Sequence, residues 1–334
     1  MRRAVLVLPT LLLLATSILA AQSNPPAAPA ASATPDPAQP ASVSPWGNEN
    51  WTALPLAQSG LNTSTYVAVV LSKAEMAGYT RELVRLQWRL DDPIDLYVVL
   101  PHGVKNPPAI LYLYDYRFNS ERFRDDNWCT TVTKDGFAAI GFTSSFSIER
   151  FHNRPMKEWI VSELQEALAT STHDVQMVLN YIASRGDIDM NRIGMFGQGS
   201  GGAIAILSAA VDTRIAALDL LNPWGDWPDW LKHSRQIPED ERPRYITPEF
   251  FEKVRGLDPV RYLPELGQRP VRVQQVMDDP VTPSEAKERI AVQVQPPQHL
   301  LRFDDLTAHA EHWQKTGLTT WLQEHLQAGA VSSR

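Results

Sequence analysis

The sequence has 334 residues, 43% of them hydrophobic and 21% charged, a balance that excludes a disordered or fibrous chain and suits one large α/β domain or two small ones. Its net charge of -7, without a run of lysine or arginine, gives no positive field for phosphates and excludes nucleic acid as a partner. Cys129 is the only cysteine, so an internal disulfide and a thiolate-rich zinc site are excluded, and a small half-buried side chain beside Trp128 is expected.

Arg2 and Arg3, the apolar run from Ala4 to Leu19 and the small residues Ala20 and Ala21 follow the three-part plan of a secretory signal peptide, expected over residues 1–21. The run is short for a bilayer span and Pro9 interrupts it, so cleavage rather than a retained anchor is expected, with no stable membrane span afterwards. Cleavage removes Arg2 and Arg3 and places the chain in a secreted or periplasmic space. Residues 22–45 are nearly all Ala, Pro, Ser, Asn and Thr, a composition unable to bury enough apolar surface to offset its ordering entropy, and read as a disordered tether. The remaining 46–330 is expected to form one domain.

Leu83 to Leu90 and Ile94 to Leu100, around the turn signal Asp91-Asp92-Pro93, predict a β-hairpin. Ala109 to Tyr114 and Phe137 to Phe142 are near-continuous apolar runs, the pattern of strands buried on both faces of a parallel sheet. A helix is predicted from a cap near Thr172, with Val175, Val178, Leu179 and Ile182 on one face and a stop at Arg185-Gly186. Strands follow at Ile193–Phe196, Ala216–Leu221, Val271–Val276 and His299–Phe303, with helices at Gly201–Ala210, Ser284–Val292 and Trp313–Leu326. This alternation predicts an α/β fold, a doubly wound, mostly parallel sheet. After the sixth predicted strand, residues 223–268 form a segment rich in Trp, Pro and charge, read either as a lid over a site or as an irregular loop anchored by its tryptophans.

The run Arg192-Ile193-Gly194-Met195-Phe196-Gly197-Gln198-Gly199-Ser200-Gly201-Gly202 is a strand, a glycine-dense turn and a helix of small residues, the setting of a nucleophile elbow. With this run, the sequence from about Leu83 to Leu326 resembles the α/β-hydrolase superfamily, especially its dienelactone-hydrolase-like and prolyl-oligopeptidase-like esterases and peptidases. Laid on that pattern, the small positions match at Gly197, Gly201 and Gly202, while the serine nucleophile's position falls on Gly199 and Ser200 stands one place late. If Ser200 is the apex, Gln198 crowds the turn; if Gly199 is the apex, the one-residue step turns the Ser200 hydroxyl by roughly 100°.

The resemblance implies an acid at Asp279 in Met277-Asp278-Asp279-Pro280-Val281, with Asp278 as fallback, and a general base at His309 in Asp304-Asp305-Leu306-Thr307-Ala308-His309, with His312 as alternative. It further implies oxyanion donors after the Ala109 strand, where this chain has Tyr114-Asp115-Tyr116-Arg117; an inward carboxylate at Asp115 opposes a developing negative charge unless Arg117 neutralises it. Tyr116, Gly199, Gly201 and Trp224 are thus the expected oxyanion and pocket residues; no metal or cofactor is expected. Two readings stay open. One is a hydrolase of small ester or acyl substrates, with Ser200 attacking, His309 as base and Asp279 orienting it. The other is an inactive ligand-binding protein that keeps the fold and explains Gly199 and Asp115 together.

Overall fold

The computed structural model describes residues 49–331, apart from 65, 91, 118–119, 148–149 and 151–159. The expected signal peptide and the tether lie outside the described residues, as does Asp91 of the hairpin turn. Nine strands form one sheet in the order β1-β2-β3-β5-β4-β6-β7-β8-β9. β1 (Val67–Glu75), β2 (Tyr79–Gln87) and β3 (Ile94–Pro101) make an antiparallel meander, and β3 pairs antiparallel with β5 (Ala138–Phe142). From there β5, β4 (Ala109–Leu113), β6 (Ile193–Gln198), β7 (Ile215–Leu221), β8 (Val271–Val276) and β9 (His299–Phe303) are all parallel.

Both faces are covered. α1 (Asp126–Thr133) and α9 (Thr320–Val331) lie over one, while α2 (Leu164–Arg185) and α3 (Ser200–Val211) pack over the other. Every residue of β4, β5 and β8 is therefore buried; β4 and β5 read as unbroken apolar runs for this reason, whereas β8 also buries Arg272, Gln274 and Gln275. Cys129 in α1 is fully buried, its thiol directed at the Phe123 carbonyl.

The elements departing most from expectation are β1 and α2. β1 is exposed along almost its whole length, with Val67, Val69, Val70 and Leu71 in solvent and a bulge between Val70 and Ser72; without an inward face there is no alternation to detect. α2 starts at Leu164, eight residues before the predicted cap. From Ala167 to Leu179 every residue is buried, so this stretch has no apolar stripe, and the Thr172 hydroxyl donates to the Leu168 carbonyl at 2.9 Å instead of capping.

That buried helix carries Asp174 and His173. Asp174 accepts from Arg89, from Arg150 at 2.6 Å and from the Trp88 indole at 3.1 Å. Arg150 also holds Asp92 at 2.6 Å, and Arg89 holds Glu49 at 2.6 Å. His173 places Nδ1 2.6 Å from Glu49 and Nε2 2.8 Å from the Ala53 carbonyl. The cluster thereby fastens the segment entering the domain to the hairpin β2–β3 and to α2.

Residues 223–268 fold into α4 (Trp227–His233), α5 (Pro248–Arg255) and α6 (Pro259–Tyr262). Trp224, Trp227 and Trp230 are buried in the core, with Trp224 and Trp230 ring centroids 4.6 Å apart. α7 (Ser284–Gln293) and α8 (Leu306–Thr316) complete the chain. Among the described residues, no helix is long and apolar enough to cross a membrane.

Candidate functional site

The chain leaves β4 for β5 on one side and later enters β6 on the other, so the loops after β4 and β6 part at a topological switch point, where sites in open α/β sheets form. Residues 114–117 and 198–200 meet there.

Gly199 sits at the apex between β6 and α3 with φ 56° and ψ -118°, backbone that L side chains adopt only under strain. Its amide donates to the Leu221 carbonyl at 2.9 Å, and its carbonyl accepts from Gly202, Ala203 and Trp224. The turn is fixed from both sides, with Gly199 at its positive-φ position and Ser200 opening the helix. Gly201 is glycine because its α-carbon lies against the end of β4, where a side chain would collide with the Leu113 backbone.

The space a side chain at the apex would occupy holds the Asp115 carboxylate. A β-carbon built on Gly199 overlaps Asp115 Oδ2 and comes within 3.1 Å of its Cγ. Asp115 is 3% exposed, and its carboxylate accepts from the Arg117 amide at 3.3 Å and from Arg117 Nε at 3.0 Å, with the Ser200 amide near enough to favour its charged form. Burial raises its pKa, partly offset by Arg117 and these amides. Ser200 is fully buried, and its hydroxyl oxygen accepts from the Tyr116 amide at 2.9 Å. Of the two backbone amides that an oxyanion would use, that of Tyr116 already serves Ser200 Oγ, and that of Ser200 has the Asp115 carboxylate beside it.

The other expected residues are placed as follows. Tyr116 stacks edge-on to Trp224 at 5.8 Å, and its hydroxyl accepts from Gln236. Asp279 accepts from the amides of Val281 at 3.2 Å and Thr282 at 3.1 Å, close enough to Arg117 to raise the guanidinium's pKa. The neighbouring Asp278 is exposed. Its loop is held from beneath by the buried Lys287 of α7, whose ammonium donates to the carbonyls of Met277 at 3.0 Å and Asp279 at 2.9 Å. Burial lowers the Lys287 pKa.

His309 lies in the first turn of α8, 3% exposed, with its ring 4.2 Å from Trp313 and 5.0 Å from Phe303. Its Nε2 has no hydrogen-bond partner among the described residues. Trp313 in turn touches Phe196, so His309 belongs to the aromatic layer on the α1/α9 face. Among the described residues, no hydrogen bond joins Ser200, Asp279 and His309. His312 packs against Phe303 at 5.2 Å. Beside the loop after β4, a void lined by Tyr114, Tyr116, Ser144 and neighbours measures about 10 Å³, room for one water. No group of three or more metal-ligating side chains occurs among the described residues.

Burial, reinforced by His312 and Arg272, lowers the His309 pKa from 6.5 to about 4. Folding therefore favours the neutral ring, and its contribution to stability is complete above pH 6.5 and lost as the pH falls towards 4. His309→Phe is expected to flatten the pH dependence of urea unfolding between those values; an unchanged slope would mean that the ring is not buried neutral.

A buried ion pair within the sheet also escaped sequence reasoning. Asp219 in β7 is fully buried and receives Arg272 of β8 through two hydrogen bonds, 2.9 and 2.6 Å, plus Gln274 at 2.8 Å. The available signal was a lone aspartate within an apolar strand, which requires a partner.

No family model and no curated protein sequence matches this chain. Solved structures do. The acetyl xylan esterase from Paenibacillus sp. R4 superposes with a TM-score of 0.61 at 17% identity, covering 79% of this chain and 90% of that one. Acetyl xylan esterase 1 from Thermoanaerobacterium sp. JW/SL YS485 gives 0.60 at 13%, covering 83% and 95%. A glucuronoyl esterase from Solibacter usitatus gives 0.54 at 13%, covering 80% and 88%. With a parallel sheet switching direction at β4 and β6, a strained glycine-rich turn after β6 and these neighbours, the chain has the α/β-hydrolase fold.

Proposed function

We propose that this protein is an exported member of the esterase-like branch of the fold that has given up serine catalysis and acts by binding. The observation that carries this reading is the Asp115 carboxylate in the volume of the missing apex side chain, beside the Ser200 amide. A negative group there opposes the charge of a tetrahedral intermediate, the charge an oxyanion site exists to stabilise. Ser200 is poorly suited to replace the lost nucleophile, because its oxygen is buried, faces the Tyr116 amide and has no imidazole partner among the described residues. Export rests on Arg2, Arg3 and the apolar run before Ala21. The tryptophan-rich segment, its rings sunk in the core, is read as a fixed cover.

The competing reading, an ester or acyl hydrolase with Ser200 as nucleophile, is separated by one experiment. Wild type and Ser200→Ala are incubated with a fluorophosphonate probe and with p-nitrophenyl acetate. Neither protein is expected to be labelled, and their ester turnover is expected to be equal. Labelling mapped to Ser200 in the wild type and absent from Ser200→Ala establishes the hydrolase and ends the binding reading.

A further inference from the structure

At the sheet end opposite the elbow, a cavity of about 400 Å³ opens between β8–β9 and the helices α8 and α9, lined by Arg272, His299, Leu301, His312, Trp321 and Glu324 among others. The placement follows from topology. The elbow stands at the C-terminal end of β6, whereas Arg272 and His299 pair at the N-terminal starts of the parallel strands β8 and β9. The volume lies in the lower part of the range of small-molecule sites, about 300–1,000 Å³.

Arg272 makes this more than a surface hollow. It is 5% exposed, and Asp219 takes its Nε and Nη2. Its guanidinium carbon stands 5.2 Å over the Trp321 ring. The pair with Asp219 and the contact with Trp321 fix the plane of the guanidinium, and Nη1 makes no hydrogen bond among the described residues. A rigid, buried guanidinium with an unused donor edge on a cavity is arranged to receive a carboxylate. Glu324, also on the cavity, is an acceptor and would repel a bare anion. It suits a ligand that carries a hydrogen-bond donor close to its carboxylate, while Leu301 and Trp321 offer apolar contact.

The geometry points to a small hydroxycarboxylic acid, bound in the α8–α9 cavity with its carboxylate on Arg272 Nη1 and its hydroxyl directed to Glu324. This site is independent of the elbow and of whether the elbow is silent.

The test is calorimetric titration of the full chain with lactate, propionate, lactamide and inorganic phosphate, with the Trp321 indole N–H followed by NMR and assigned through Trp321→Phe. Lactate is expected to bind and to shift the Trp321 signal, about tenfold more tightly than propionate or lactamide. Glu324→Ala, which removes the acceptor, is expected to erase the preference over propionate, and Arg272→Lys to weaken lactate by about tenfold or more. Because Arg272 also partners Asp219, Leu301→Trp supplies a second variant that fills the cavity without touching that pair; it is expected to abolish binding. The proposal is overturned if lactate does not bind, if it binds without moving Trp321, if lactamide or phosphate binds as well as lactate, or if Leu301→Trp leaves binding intact.

Discussion

Gly199→Ser is expected to destabilise the protein by about 2–6 kcal/mol without creating a reactive serine. Two costs combine. A side chain at φ 56° and ψ -118° stores about 1–3 kcal/mol of backbone strain. Its β-carbon also enters the Asp115 carboxylate, and forced packing of this kind costs about 1–3 kcal/mol. The carboxylate can move aside only by giving up the amide and the guanidinium of Arg117. Combining Gly199→Ser with Asp115→Gly removes the collision, so the two changes are expected to couple favourably by about 0.5–3 kcal/mol in urea unfolding. Additive effects would show that Asp115 does not fill the apex. Fluorophosphonate labelling of Gly199→Ser alone would show that a base stands ready beside it.

The second large effect is expected at Asp174. Asp174→Ala leaves Arg89 and Arg150 buried beside each other with one carboxylate fewer, and breaking a buried ion pair from one side costs about 3–5 kcal/mol. Against a typical total of about 5–15 kcal/mol, that is a large fraction. Urea unfolding measures it, and a loss below about 1 kcal/mol would mean that water reaches the cluster. The pH dependence has a definite sign. Burial alone would raise the carboxyls of Asp174 and Glu49, but Arg89 with Arg150 at the first, and Arg89 with His173 at the second, hold both below their ordinary values. Their contribution is complete above the ordinary carboxylate range and lost as the pH falls through the lower folded values. Acid is therefore expected to release residues 49–59 and the hairpin together.

The buried parallel strands were readable because double burial writes an unbroken apolar run, as in Ala109–Leu113 and Ile193–Phe196. The elbow was readable as glycines around a strand end, and the departure at Gly199 was visible in the same run. What the run did not reveal is the occupant of the vacated space, because Asp115 reaches the apex only across the β4–β6 pairing. The expected meeting of Asp279 with His309 rested on order along the chain. Where an imidazole points depends on the helix turn carrying it, and here α8 begins three residues before His309 and directs the ring towards Trp313. The partners of Asp174 and Asp219 were hidden for a related reason: a charge in an apolar stretch announces that it needs a counter-ion without naming it.

The strand β1 closes the sheet on one side, and among the described residues no strand pairs with its outer edge. Its outer amides and carbonyls remain half of a ladder, bordered by the bare valines 67, 69 and 70. Such a border pairs readily with a copy of itself, and the kink before Ser72 and the charges of Lys73 and Glu75 stand against this. Recovery from heat or denaturant will therefore depend on how crowded the solution is, and a lysine in place of Val69 is the simplest way to make it less so.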